Sequence, residues 1–159
     1  MKILIVSDTH GHGENLVKVL EKTSPIDALI HCGDIEGQAE YIQMITECPC
    51  YLVAGNNDWG TSLKRELEFS LGDYRIMLTH GNNYGVSIGT ERLRDEAESR
   101  GVQIAIFGHT HRPVIEDKDN LVLLNPGSLS YPRQIGRKPS YIVMEIDRHH
   151  EAHYTICYL

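Results

Sequence analysis

Three times in the first third of the chain, a short uninterrupted apolar run stops abruptly at polar residues. This constrains the fold more than any other feature. Ile3-Leu4-Ile5-Val6 ends at Ser7-Asp8, Ala28-Leu29-Ile30 at His31-Cys32-Gly33-Asp34, and Tyr51-Leu52-Val53-Ala54 at Gly55-Asn56-Asn57-Asp58. A strand without polar alternation is buried on both faces, as in a parallel sheet covered by helices. Between these runs, Glu14 to Lys22 carries Leu16, Val17, Val19 and Leu20 at helical spacing, and Gln38–Thr46 predicts a second helix. The order β-α-β-α-β requires parallel strands joined by right-handed crossovers.

The second half has another texture. Leu67–Leu71 alternates, Arg75-Ile76-Met77-Leu78 ends at Thr79-His80-Gly81, and Val102–Phe107 ends at Gly108-His109-Thr110-His111. Glu91 to Arg100 predicts a charged, exposed helix. Asp117-Lys118-Asp119-Asn120 reads as a hairpin turn before a strand at Leu121–Leu124, and Asn125-Pro126-Gly127-Ser128 as a further turn. Closing strands are expected over Tyr141–Ile146 and Tyr154–Tyr158. The expectation is an α/β fold of two mixed β-sheets packed together and flanked by helices. At 159 residues it is expected as a single domain, 1–159.

The net charge of −7 argues against a general nucleic-acid or anionic-membrane surface, which needs clustered Lys and Arg. No apolar stretch is long enough for a membrane span, and no targeting signal is visible. The four cysteines (Cys32, Cys48, Cys50 and Cys157) form no CxxC pair, so reduced thiols and a cytoplasmic location are expected. The unusual number is nine histidines beside two Phe and one Trp.

Four of those histidines follow strand ends. Five strand ends present Asp, Asn or His, usually beside Gly: Asp8 and His10; Asp34; Asn56; His80; His109 and His111. Singly, each reads as turn chemistry, because Gly permits positive φ and Asx side chains cap local backbone. Together they are improbable as turns alone. In α/β sheets ligands bind beyond the carboxyl ends of strands, where such loops converge. His109-x-His111 in an extended segment would point both rings to one side. Seven nitrogen and oxygen donors suit one or two divalent ions. Imidazole with carboxylate favours zinc, manganese, iron, cobalt or nickel over calcium.

The set Asp8-x-His10, Gly33-Asp34, Gly55-Asn56-x-Asp58, His80 and Gly108-His109-x-His111 resembles the calcineurin-like metallophosphoesterase superfamily. The Asp8-Thr9-His10-Gly11 opening and the Asn125-Pro126-Gly127-Ser128 turn are similar to its small bacterial and archaeal phosphodiesterase branch. The resemblance implies a four-layer α/β/β/α sandwich and a dinuclear site. It assigns Asp8, His10 and His111 to one metal, Asn56, His80 and His109 to the other, and Asp34 to both. Two divalent ions are implied, manganese foremost, with nickel, zinc, iron or cobalt as alternatives. In such sites a metal-bridging hydroxide attacks phosphorus, and Asp34, Asn56 and His80 take the catalytic positions. The substrate is expected to be a small phosphoester, and a homo-oligomer stays open.

The chain departs from many superfamily members directly after Asn56. They carry His there; here it is Asn57, whose amide donates hydrogen bonds but delivers no proton. His12, two residues after His10, and Asp58 are the substitutes, as proton donor or as supports that orient a ligand. His31 stands near the site. Arg148-His149-His150-Glu151 and His153 read as a polar turn region, and Arg133 as a surface arginine or a phosphate contact. The leading functional expectation is a metal-dependent phosphodiesterase. Its alternatives are a phosphomonoesterase, a nucleotide pyrophosphohydrolase, or a non-catalytic scaffold like the retromer subunit of the same fold. Donor side chains at all seven ligand positions favour catalysis.

Overall fold

The computed structural model describes all 159 residues. The chain runs β1 (Lys2–Val6), α1 (Glu14–Thr23), β2 (Ala28–His31), α2 (Ala39–Ile45), β3 (Cys50–Leu52), β4 (Glu66–Leu71) and β5 (Tyr74–Thr79). It continues through α3 (Glu91–Ser99), β6 (Ile104–Ile106), β7 (Pro113–Lys118), β8 (Leu121–Pro126), β9 (Ser140–Ile146) and β10 (Ala152–Tyr158).

Two five-stranded sheets form, ordered β10-β9-β1-β2-β3 and β4-β5-β6-β8-β7. Each has three parallel strands, β1/β2/β3 and β5/β6/β8, extended by antiparallel partners. Strand parity then sorts the core. Ile3 and Ile5 of β1 face the other sheet, packing in one cluster with Ile76, Leu78, Ile104 and Ile106. Leu4 and Val6 point the other way, into a cluster with Leu16, Val19, Leu20 and Ile42 of α1 and α2. On the far side Met77, Ala105 and Leu123 pack against Leu93 and Ala97 of α3. Alternate faces of fully apolar strands thus build four layers, α/β/β/α. No helix is long and apolar enough to cross a membrane.

Some boundaries differ from the sequence reading. The hairpin turn is the pair Asp119-Asn120, with φ of 54° and 63°, matching a type I′ connection. It defines a strand, β7, that the charged sequence Glu116-Asp117-Lys118 disguises. Asn125 and Pro126, read as a turn, continue β8. The ladder to β6 ends at Leu124, so Pro126 forfeits no hydrogen bond on that side. The turn begins at Gly127, with φ of 81°.

Candidate metal centre

The carboxyl ends of β1, β2, β3, β5 and β6 deliver the seven sequence-selected donors to one place. Backbone hydrogen bonds lash their loops together. Asp8 N–H donates to Gly33 O at 3.1 Å, His10 N–H to Asp34 O at 2.9 Å, and Gly108 N–H to His80 O at 3.1 Å. The approach is close enough to require glycine. A Cβ on Gly55 would lie 2.1 Å from Asp34 Oδ1, and one on Gly108 would lie 2.1 Å from Ser7 Oγ.

The backbone there is strained. Asp8, His10, Asp34, His109 and His111 all have positive φ, between 47° and 68°. A left-handed conformation costs an L-residue about 1–2 kcal/mol, and Asp, Asn and His tolerate it best. Each such residue swings the chain sharply off its strand end. His109 and His111 are therefore not extended, and their rings part rather than share a side. His109 lies against His80, with ring centroids 5.1 Å apart, and His111 against His10 at 5.2 Å.

Two carboxylates sit at the bottom, Asp8 fully buried and Asp34 2% exposed, and neither meets a Lys or Arg. Around them three histidines are oriented alike. His80 Nδ1 is 2.7 Å from Cys32 O, His111 Nδ1 is 2.7 Å from Tyr131 O, and His10 Nδ1 is 2.7 Å from Glu36 Oε1. Those acceptors assign the proton to Nδ1 and leave each Nε2 lone pair facing inward. His10 Nε2 lies 3.4 Å from His111 Nε2 and 3.8 Å from both Asp8 Oδ1 and Asp34 Oδ2. His80 Nε2 lies 3.5 Å from Asp34 Oδ2 and 3.1 Å from Asn56 Oδ1. His111 Nε2 is 2.9 Å from Asp8 Oδ1, a buried oxygen that receives no hydrogen bond. Apart from the Asn57 amide on Asp34 Oδ2, acceptors thus face acceptors. Cations relieve such an arrangement, and the donors fit them: ligand atoms of Asp8, His10 and His111 lie within 4.8 Å of one another, as do those of Asp8, Asp34 and His80.

Electrostatics without cations reflects the crowding. Burial opposes charging Asp8, yet His111, His80 and Ser7 together hold its pKa below the ordinary value. Burial likewise lowers His111, but the Asp8 carboxylate and the Tyr131 carbonyl outweigh it and leave that pKa raised. His109 is pushed down, by burial first and by His80 second.

The three residues proposed as proton donors or supports separate clearly. Asn57 donates to Asp34 twice, from N–H to Oδ1 at 2.9 Å and from Nδ2 to Oδ2 at 2.7 Å. Asp58 is buried and accepts from the backbone N–H groups of Ile35, Glu36 and Gly55 at 2.9, 2.6 and 2.7 Å, tying the loops after β2 and β3 together. His12 is exposed, with Nε2 3.1 Å from the Tyr131 hydroxyl. His31 lies inside β2, fully buried. Its Nδ1 accepts from Gly33 N–H at 3.2 Å, which places its proton on Nε2, 3.1 Å from Thr9 Oγ1. Burial lowers its pKa to about 4.

Of the other supports, only those in the Asn125-Pro126-Gly127-Ser128 segment have a motif in the sequence. Glu36 and Tyr131 anchor His10 and His111. Asn125 donates to Gly108 O at 2.8 Å, Ser128 Oγ to Asp8 O at 2.9 Å, and Ser130 Oγ to Thr9 O at 2.7 Å. The amide and hydroxyl of the Asn125-Pro126-Gly127-Ser128 segment were its visible signal. His149, His150 and His153 lie at the β9–β10 hairpin, distant in the fold from these strand ends.

Residues 1–149 match the family model of the calcineurin-like phosphoesterase superfamily domain. The chain is 32% identical over 148 residues to the probable metallophosphoesterase YsnB of Bacillus subtilis (strain 168), covering 92% of this chain and 85% of that protein. It is 30% identical over 145 residues to a phosphodiesterase of Methanocaldococcus jannaschii, covering 80% and 83%. Among solved structures, a predicted phosphoesterase from Streptococcus pneumoniae TIGR4 superposes with a TM-score of 0.81 at 26% identity, covering 99% and 97%. Vps29 from Entamoeba histolytica, complexed with zinc, superposes with a TM-score of 0.78 at 21% identity, covering 99% of each chain, a likeness of fold alone. A family match across nearly the whole chain, with relatives at 30% identity or more over most of both lengths, leads to one conclusion: this protein belongs to the calcineurin-like phosphoesterase superfamily and is a metal-dependent phosphoester hydrolase.

Proposed function

We propose that residues 1–159 form one catalytic domain that hydrolyses small phosphodiesters with two divalent transition-metal ions, manganese foremost. Asp8, His10 and His111 hold one ion, Asn56, His80 and His109 the other, and Asp34 reaches both. The observation that carries this reading is the convergence of inward Nε2 lone pairs on Asp34 and on the unpartnered Asp8 Oδ1. When bound, the cations supply Lewis acidity and a water activated near neutral pH.

The protein's own contribution is positional. Cys32 O, Tyr131 O and Glu36 fix three imidazole rings, and Asn57 fixes the Asp34 carboxylate from two directions. No acid stands where many superfamily members place His. Asn57 has none to give, and both Asp58 oxygens are taken by backbone N–H groups. His12 is the remaining ionisable group of the three, at the rim. Diesters with low-pKa leaving groups are therefore the preferred substrates. The four free thiols support the cytoplasmic setting expected from the sequence.

The test is turnover of bis(p-nitrophenyl) phosphate by purified protein supplied in turn with Mn²⁺, Ni²⁺, Zn²⁺ and Co²⁺. The proposal expects metal-dependent release of p-nitrophenol, faster than from the monoester p-nitrophenyl phosphate. Bound metal without turnover of the diester would overturn it in favour of the scaffold reading, and a faster monoester would favour the phosphomonoesterase.

A further inference from the structure

An open groove of about 770 Å³ leads away from the His10 and His111 side of the centre, lined by those two rings and by Arg112, Tyr131, Arg133 and Arg137. Its three arginines bring three unneutralised cations to one cavity wall. Of the other six arginines, three pair with acids, Arg94 with Glu116, Arg75 with Glu68, and Arg100 with Glu66, Glu68 and Glu96, and three, Arg65, Arg92 and Arg148, do not. Arg112, Arg133 and Arg137 form no ion pair, in a protein of net charge −7 with 22 carboxylate side chains. Three like charges sharing one groove repel each other, and a groove lined by one sign of charge concentrates the opposite ion.

Their placement is also tied to the centre. Arg133 N–H donates to His111 O at 2.9 Å, and His111 Nδ1–H donates to Tyr131 O at 2.7 Å. Ser128 Oγ accepts from Tyr131 N–H at 2.8 Å and donates to Asp8 O at 2.9 Å. The segment bearing Arg133 is thus bonded at several points to the backbone that positions Asp8 and His111, and Arg112 directly follows His111.

We infer that Arg112, Arg133 and Arg137 form a second anion subsite, which selects diesters carrying an additional, non-reacting phosphate monoester. This deepens the proposed phosphodiesterase function and rests on it for the identity of the reacting group. The choice of phosphate follows from count. A phosphomonoester offers three acceptor oxygens and between one and a half and two negative charges, enough for three guanidinium forks. A carboxylate offers two oxygens and one charge, and so neutralises less of a site built from three guanidinium groups. Planar guanidinium matches phosphate bidentately.

The test compares two chromogenic diesters, the p-nitrophenyl ester of thymidine 5′-phosphate and the same ester bearing a 3′-phosphate. On Mn²⁺-loaded wild type, kcat/KM should favour the 3′-phosphorylated ester by about tenfold or more. In the double variant Arg133→Gln/Arg137→Gln that ratio should fall to near one, with melting temperature and metal content unchanged. Arg148→Gln, at the β9–β10 hairpin, should keep the wild-type ratio. A binding arm uses calorimetry with thymidine 3′,5′-bisphosphate against thymidine 5′-phosphate and needs no turnover. Equal rates and equal affinities for both members of each pair overturn the subsite, as does a preference that survives the double variant. No turnover of either ester, with an arginine-dependent preference for the bisphosphate, overturns the phosphodiesterase reading and leaves the subsite standing.

Discussion

Gly55→Ala probes how tightly the centre is built. The added Cβ would lie 2.1 Å from Asp34 Oδ1, 2.4 Å from Asp34 N and 2.8 Å from Asp34 Cγ. Because real Cβ contacts essentially never fall below 3.0 Å, the Asp34 carboxylate and its backbone must retreat by about 0.9 Å. That retreat strains both hydrogen bonds from Asn57 and moves the one carboxylate proposed to reach both ions. Overpacking of this kind costs about 1–3 kcal/mol. Misplacing a reacting constellation by about 1 Å costs roughly 100-fold in rate. Gly60→Ala is the control. Its φ is +68°, so alanine is strained there too, but nothing lies within 4 Å of the added methyl. Both variants should unfold at lower urea, by comparable amounts. Only Gly55→Ala should lose metal, measured by titration with Mn²⁺, and about two orders of magnitude in kcat/KM on bis(p-nitrophenyl) phosphate. Wild-type metal affinity and rate in Gly55→Ala would refute the claim that Asp34 is held by contact with the β3 loop.

Further outcomes follow from the surrounding contacts. Asp58→Ala leaves the buried N–H groups of Ile35 and Gly55, with that of Glu36, without their acceptor; at 1–3 kcal/mol for each unsatisfied group, stability should fall by about 3 kcal/mol or more in urea titrations. Glu36→Ala frees His10 Nδ1, and Mn²⁺ affinity should drop about 10–100-fold in calorimetry with the fold intact. His31 gives a pH dependence in metal-free protein. Its folded pKa of about 4 lies below the unfolded value of about 6.5, so below pH 6.5 the unfolded chain binds the proton that the folded chain refuses. That stability is complete above pH 6.5 and is lost as pH falls toward 4, by about 3 kcal/mol. Urea unfolding at pH 7, 5 and 4 should show it, and His31→Gln should flatten the slope.

The apolar runs told where strands lie, because a strand buried on both faces admits no polar residue, and their abrupt ends marked the donors. Four layers then followed from strand parity, as Leu4 and Ile5 show by facing opposite clusters. Tertiary geometry supplied the rest. Strand β7 was disguised by Glu116, Asp117 and Lys118, which tolerate an exposed edge strand. The left-handed turns at His109 and His111 send the two rings to opposite halves of the centre, against the expectation from a two-residue spacing. Glu36 and Tyr131 act on rings 26 and 20 residues away, and no local pattern encodes those partners. Asn57 read as a lost proton donor, and the fold shows what the amide does instead: it holds Asp34.

The central claim is that acceptors facing acceptors at these strand ends mark a two-cation centre. Anomalous scattering from crystals of the wild type grown with Mn²⁺ tests it most directly. Two peaks per chain are expected, one bounded by Asp8, His10 and His111 and the other by Asn56, His80 and His109, with Asp34 between them and one peak lost in Asp34→Asn. A single peak in the wild type, or manganese bound instead at the Asp147, Glu151 and His153 cluster of the β9–β10 hairpin, would contradict the account.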